Sequence, residues 1–126
     1  MNATFKTEGT RTYPNLIAGE FPRVERKITI ASGAGALSAG SVLALNASDK
    51  AVLVDSDAGE GGDPRREPKY ILADAADATS ADIEAIAYET GQFNEAVLTF
   101  GGDDDADDHR AALRALSIFL HNNLGA

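Results

Sequence analysis

The chain has 126 residues, 44% of them hydrophobic, and a formal net charge of −9 at pH 7. This length suits one domain and is too short for two sizeable hydrophobic cores. Aromatic residues make up only 6% of the chain, and cysteine is absent, which excludes a disulfide framework and a thiolate metal site. The core should therefore be thin, and contact with a partner subunit is expected to help stabilise it.

The charge is unevenly distributed along the chain. Residues 1–27 carry five basic and three acidic side chains, whereas residues 28–126 carry six basic and 17 acidic ones. Nucleic-acid binding needs a dense stripe of Lys and Arg, and an acidic body repels a polyanion. There is also no signal-peptide pattern, and no stretch approaches the roughly 18 unbroken apolar residues of a membrane helix. We therefore expect neither nucleic acid nor a membrane as a partner.

Residues 1–23 are predicted to form an extended N-terminal arm. Pro14 and Pro22 bias the residues before them toward extended backbone, and Gly9 and Gly19 loosen the chain between them. A merely solvating tail would be poorer in large apolar side chains than this segment, which contains Phe5, Tyr13, Leu16, Ile17 and Phe21. Residues 24–126 are then expected to form a single compact domain.

The body is predicted to be mainly β. Branched and aromatic residues indicate strands at residues 24–30, 42–45, 51–54, 69–73, 82–89 and 93–100. Turn residues at 46–50 favour a β-hairpin of the second and third of these strands. Small or polar residues predict loops at 31–40 and 74–81, and glycine, proline and acidic residues predict an exposed loop at 55–68. A helix stays the alternative for residues 82–89, because Glu and Ala favour it.

One helix is predicted, near the C-terminus. An Asp N-cap, followed by alanine and leucine residues, predicts a helix from about Ala106 to Leu116. Acidic residues at its start and Arg110 and Arg114 further along suit the helix dipole. Residues 117–121 either extend this helix or form a short final strand.

Two segments resemble ligand-binding motifs but lack residues that those motifs require. Taking Asp103 as the first position of a calcium-binding EF-hand loop, Asp108 and Arg114 stand where glycine and glutamate are needed. The glycine-rich residues 33–40 have Ser38 in place of the third glycine of a dinucleotide-binding motif. We interpret these segments as a solvated helix start and a plain turn, and expect no metal and no cofactor.

The sequence offers no catalytic constellation. The two histidines are His109 and His121, and no serine lies in a nucleophile-elbow setting, so the common hydrolytic triads lack their parts. His109 is interpreted as a surface imidazole beside carboxylates. Paired carboxylates could still act in a hydrolase, but 20 acidic residues produce close pairs by chance. We therefore expect a protein that is not an enzyme and that acts through its surfaces.

Several blocks of sequence, in a fixed order, carry a resemblance to a known family. The blocks are residues 13–22, 27–33, 71–73, 77–79, 88–95 and 110–120. In this order they resemble the head decoration, or head-stabilising, proteins of lambda-like bacteriophages. The acidic segments 55–68 and 101–108 are longer than the family pattern and depart from it.

The resemblance implies a fold and an assembly. The fold is mainly β with one short C-terminal helix, a small β-barrel or β-tulip-like body with an extended N-terminal arm. The protein is expected to be made in the host cytoplasm and to form a homotrimer. It is expected to bind the major capsid protein at three-fold and quasi-three-fold positions on the outer surface of the expanded head. There it would stabilise the shell against the pressure of packaged DNA.

The resemblance also directs attention to particular residues. Residues expected to contact the capsid are Tyr13, Pro14, Leu16, Ile17, Phe21 and Pro22. Residues considered for the trimer interface are Leu113, Leu116, Ile118 and Phe119. The alternative function is that of a carbohydrate- or cell-surface-binding β module displayed on the virion. Such modules present aromatic platforms, whereas Tyr70 and Tyr88 fall in strand segments where burial is expected.

Overall fold

The computed structural model describes residues 16–19 and 21–121, and this part of the chain is mainly β. The elements are, in chain order, β1 Glu25–Ile30, β2 Gly35–Leu37, β3 Val42–Leu45, β4 Ala51–Leu53, β5 Tyr70–Leu72, β6 Ala76–Ala78, β7 Ile83–Tyr88, β8 Gly91–Asn94, α1 Ala106–Ala115 and β9 Ile118–His121. Short 3-10 turns lie at Pro64–Arg66 and Glu95–Val97. The prediction of a mainly β fold with one helix near the C-terminus is confirmed.

A closed barrel forms the centre of the fold, with strand order β1, β4, β3, β5, β7. β7 pairs antiparallel with β1 along the whole of both strands, and also with the short β5. β3 pairs antiparallel with β4 and with β5, which confirms the predicted hairpin. Ile30 and Ala51 close the barrel through a parallel contact between β1 and β4. Closure leaves the barrel without an open sheet edge.

Two apolar clusters lie on opposite sides of the barrel wall. Side chains alternate across a strand, so Leu43 of β3 packs inside the barrel while its neighbours Val42 and Ala44 pack outside it. The inner cluster consists of Ile28, Ile30, Leu37, Leu43, Ala51, Leu72, Ala78 and Ala87. The outer cluster consists of Val42, Ala44, Val54, Ile71, Phe93, Leu113 and Ile118. Burial on both faces explains why β3 and β5 are continuously apolar in sequence.

α1 and the parallel pair of β8 and β9 cover the outer cluster. The helix begins with a capping box: Asp108 N–H donates to the Asp105 side chain at 3.3 Å, and Asp105 N–H donates to the Asp108 side chain at 2.8 Å. Both bonds satisfy amides that a helix start leaves without partners. After the helix, Ser117 adopts a left-handed φ of 67°. This residue turns the chain back, so residues 118–121 form a strand and do not extend α1.

Some predicted boundaries and loops were wrong. β2 and β6 lie in segments predicted as loops, where they form an antiparallel ladder of three residue pairs. Strands this short, built mostly from small residues, leave too little periodicity in the sequence to be recognised. The strand predicted at 93–100 ends at Asn94, because the Asn94 side chain accepts the Ala96 N–H and starts a 3-10 turn. The helical alternative for residues 82–89 is excluded by the pairing of β7 with β1.

The outer cluster predicts a large difference between two isoleucines on neighbouring strands. Ile71 of β5 is fully buried, whereas the Ile86 side chain of β7 is 38% exposed. Ile71→Ala should lower the free energy of unfolding by about 2–5 kcal/mol, because it leaves a cavity in the cluster. Ile86→Ala is the matched control, with the same change of strand propensity and a loss below about 1.5 kcal/mol. Urea denaturation of both variants measures the difference, and equal losses would contradict the assignment of Ile71 to the core.

Candidate functional site

The arm root, defined here as residues 16–19 and 21–24, lies beside β8 and pairs with it at one point. Ile17 and Phe93 form an antiparallel bridge. Ala18 N–H donates to the Gln92 carbonyl at 3.0 Å, and Asn94 N–H donates to the Leu16 carbonyl at 2.7 Å. β9 occupies the opposite edge of β8. The arm root therefore pairs with the edge of β8 that would otherwise be open.

Polar groups of residues 89–92 hold the rest of the arm root. Phe21 N–H donates to Gln92 Oε1 at 3.0 Å. Thr90 Oγ1 donates to the Pro22 carbonyl at 2.7 Å and accepts the Val24 N–H at 3.1 Å. The Val24 carbonyl in turn accepts the Glu89 N–H at 2.7 Å. A continuous series of hydrogen bonds thus crosses the predicted boundary between arm and domain at residue 23.

The predicted capsid-binding residues fall into three groups. Leu16 and Ile17 are half-buried and pack against the outer cluster of their own chain. Phe21 and Pro22 are exposed, and the Phe21 ring meets Phe119 edge-on with 5.1 Å between ring centroids. Tyr13 and Pro14 lie outside the described residues. The structure thus brings Leu16, Ile17 and Phe21 together at the arm root and assigns the first two to anchoring.

The four residues considered for the trimer interface separate into two kinds. Leu113 and Ile118 have no exposed surface and belong to the outer cluster of their own chain. Their side chains are therefore already covered within their own chain. Leu116 is 37% exposed, and Phe119 is partly exposed beneath Phe21. Leu116 and Phe119 therefore remain as candidate contacts.

Gln92 and Thr90 take part in this site, and no chemical motif in the sequence marks them. Their role is to hold backbone groups, which leaves no motif in the sequence. The block 88–95 of the family resemblance was the available signal. Gly19 lies so close to Gln92 that a Cβ atom would overlap Oε1 and come within 3.3 Å of the Gln92 Cβ. Glycine at this position allows Gln92 to reach the Phe21 N–H.

A second cluster of polar side chains is buried between the two acidic segments. Ser56 donates to Asp104 through its N–H at 2.7 Å and its Oγ at 2.6 Å. His109 Nε2 lies 2.7 Å from Asp104 Oδ2, and the two side chains are each only 4% exposed. The imidazole also stacks on Phe100 with 5.6 Å between ring centroids. The prediction of a surface imidazole at His109 was therefore wrong, because the ring is enclosed by a carboxylate and an aromatic side chain.

This cluster contains serine, histidine and aspartate but is not a catalytic triad. The carboxylate of Asp104 lies between the other two, so Ser56 Oγ donates to the acid and has no base to remove its proton. Because a carboxylate can only accept, His109 must carry a proton on Nε2. Among the described residues, no three His, Asp or Glu side chains are arranged to hold a metal ion. The cluster has a structural role, joining the segment after β4 to the start of α1.

The fold and the arm root define a small β-barrel protein with an N-terminal segment that pairs with the edge of a second sheet. The family model of the bacteriophage lambda head decoration protein D matches residues 5–120. The chain therefore belongs to this family, and the predicted resemblance is confirmed. A comparison with curated proteins found no match. The family consists of structural proteins of the phage head and not of enzymes, which relates this chain to the virion capsid.

Across the described ranges, no helix has the length and apolar character needed to cross a bilayer.

The buried cluster predicts an acid-dependent contribution to stability. Burial would raise the pKa of Asp104, but hydrogen bonds from Ser56 and His109 outweigh it and hold the pKa below its ordinary value of 3.8. A folded-state pKa below the unfolded one gives stability that is present above pH 3.8 and lost as the pH falls through the folded pKa. Asp104→Asn should cost about 1–3 kcal/mol at neutral pH, because a buried amide cannot accept all three bonds.

Thermal unfolding at pH values from about 2.5 to 7 measures this contribution, because that interval covers the usual titration range of carboxyl groups. Asp103→Asn is the matched control, since Asp103 is exposed and adjacent in sequence. The curves of the wild-type protein and of this control should fall more steeply with acid than that of Asp104→Asn. Parallel curves for all three proteins would contradict the buried network.

The arm root predicts a specific effect of adding one methyl group. Gly19→Ala should displace the Gln92 side chain and break its bond to the Phe21 N–H, because the added Cβ overlaps Oε1. Hydrogen exchange at the Ala18 and Phe21 amides should then become at least about tenfold faster as the local opening becomes easier. Gly61→Ala is the control, since a Cβ at Gly61 meets nothing within 4 Å. Unchanged protection in Gly19→Ala would refute the close packing.

Proposed function

We propose that this protein decorates the expanded phage head, binding as a homotrimer at three-fold and quasi-three-fold positions on its outer surface. Bound there, it stabilises the shell against the pressure of packaged DNA. Its partner is the major capsid protein, and it is made in the host cytoplasm before it joins the virion. The family match over residues 5–120 is the observation that supports this function.

Residues 1–23 are the proposed capsid-binding arm, and the arm root fixes where it leaves the body. Leu16 and Ile17 pack on the outer cluster, and the main chain of residues 16–18 pairs with β8. We infer that Tyr13 and Pro14, which precede this anchor, contact the shell, together with the exposed Phe21 and Pro22. The arm would add to an edge strand of the capsid protein, where main-chain hydrogen bonds supply affinity and apolar side chains fill pockets.

Trimer formation would make this attachment trivalent. Three arms on one rigid body bind neighbouring capsid subunits at a high effective concentration, so weak single contacts give a firm attachment. The exposed Leu116 is the residue proposed for the contact between copies, whereas Phe119 lies beneath Phe21 of the arm root. A body attached to several capsid subunits at once opposes their separation, which is how decoration would resist internal pressure.

The alternative of a carbohydrate- or cell-surface-binding module finds no support in the body tyrosines. Tyr70 packs against the inner cluster, and Tyr88 lies 5.4 Å from Phe93 between ring centroids. Both rings are therefore used within the protein and not as an exposed platform for a sugar.

Removal of residues 2–15 tests the role of the arm without disturbing its root. The shortened protein should keep its fold and trimeric state, because Leu16 and Ile17 still pack on the outer cluster. Binding to expanded heads assembled from the capsid protein of the same phage should fall by at least about 100-fold, since each body loses three contacts at once. Co-sedimentation with expanded and unexpanded heads, with bound copies counted per head, measures this.

Two results would count against the proposal in different ways. A full-length chain that does not sediment with expanded heads would reject the decoration function itself. Full binding by the shortened protein would keep that function but remove residues 2–15 from the mechanism. Sedimentation velocity on both proteins establishes whether they are trimers before the heads are added.

A further inference from the structure

β9 is the outermost strand of its sheet, and in the part of the chain described here only β8 pairs with it. Gly91 N–H donates to the Ser117 carbonyl at 3.1 Å. Since backbone groups alternate in direction along a strand, those of Phe119 and His121 also point toward β8. The N–H and carbonyl groups of Ile118 and Leu120 then point away from it. An edge of this kind is a template for another strand.

A groove of about 270 Å³ lies between this strand and α1. The residues lining it are Arg110, Arg114, Ile118, Phe119, Leu120 and His121. The β9 side contributes mainly apolar surface, whereas the helix contributes two guanidinium groups one turn apart. The groove therefore combines main-chain groups that no described strand pairs with, apolar surface and positive charge in a protein whose net charge is −9.

The two arginines differ in their availability. Arg110 forms two salt bridges: its Nη1 lies 2.6 Å from Glu95 Oε1, and its Nη2 lies 2.7 Å from Asp107 Oδ1. These hydrogen-bonded carboxylates raise the pKa of Arg110 and already neutralise its charge. Arg114 is exposed and makes no salt bridge within the described residues. It is thus the group in this groove that can receive a carboxylate from outside.

We propose that the groove binds an extended, acidic segment of the major capsid protein, which pairs with β9 and places a carboxylate on Arg114. The inference rests on the proposed function and adds a second attachment to it. Phe119, which lines the groove, also contacts Phe21 of the arm root. The groove and the proposed arm site are therefore continuous, and one partner surface can cover both.

The chemistry of the occupant follows from the groove. Pairing with Ile118 and Leu120 requires an extended backbone, and alternate side chains of a strand would face the apolar surface. A second copy of this chain fits less well. Within the described residues, its acidic segments 55–68 and 101–108 form turns and a helix start and contain no strand that could enter the groove. Three of their carboxylates are also engaged within the chain: Asp104 accepts from Ser56 and lies against His109, and Asp105 and Asp108 form the capping box.

Charge reversal at Arg114 tests the proposal in the full-length protein. Arg114→Glu should weaken binding to expanded heads by about tenfold or more, since it replaces an attraction with a repulsion. Arg114→Lys should retain most of the binding. Lys69→Glu is the matched control: Lys69 is exposed, makes no salt bridge within the described part of the chain and does not line the groove. Hydrogen exchange at Ile118 and Leu120 should slow when the wild-type protein binds heads.

Three outcomes would overturn the proposal. Wild-type binding by Arg114→Glu, with no added protection at Ile118 and Leu120, would reject the groove while leaving decoration by the arm intact. Failure of the wild-type chain to bind heads would reject the groove and the proposed function together. If Arg114→Glu instead dissociates the trimer in sedimentation velocity, the groove belongs to a contact between copies and not to the capsid protein.

Discussion

The antiparallel pairing of the arm root with β8 is the interaction on which the rest of this structure depends. Phe93 is central to it, because its side chain is fully buried in the outer cluster while its backbone forms the bridge to Ile17. The neighbours Gln92 and Asn94 supply the hydrogen bonds that hold Leu16 and Ala18. One strand of four residues thus joins the arm, the core and β9. The position of Leu16, where the described part of the chain begins, is set by this strand.

The acidic character of the body places a second constraint on the fold. Exposed salt bridges such as that of Lys27 and Glu84 contribute little, because both side chains are mostly in water. The carboxylate that is buried, that of Asp104, is held by hydrogen bonds from Ser56 and His109, whereas the capping-box acids Asp105 and Asp108 are exposed. Burying a carboxylate is costly unless such partners satisfy it. This explains how segments 55–68 and 101–108 can meet at a buried carboxylate.

The sequence predicted those elements that are determined by residues close together in the chain. α1 follows from its Asp N-cap and the alanine and leucine residues after it, and the hairpin of β3 and β4 follows from its turn residues, so both were predicted. The enclosure of His109 by Phe100 and Asp104 depends on segments that meet only after folding, and no periodicity reveals it. The sequence also does not show whether Leu113 and Leu116 are covered by the core or by a partner, because an apolar residue on a helix gives the same sequence pattern in both cases. Gln92 was missed because it binds backbone atoms of a distant segment.

The central claim is that a strand anchored on β8 carries the arm from the body to the shell. A reconstruction of expanded heads decorated with the full-length protein, at a resolution that shows side chains, tests it most directly. The account predicts residues 16–18 still paired with β8 in the bound state, and the residues before Leu16 paired with a strand of the capsid protein. A bound protein whose arm contacts only its own body, or whose residues 16–18 have left β8, would contradict it.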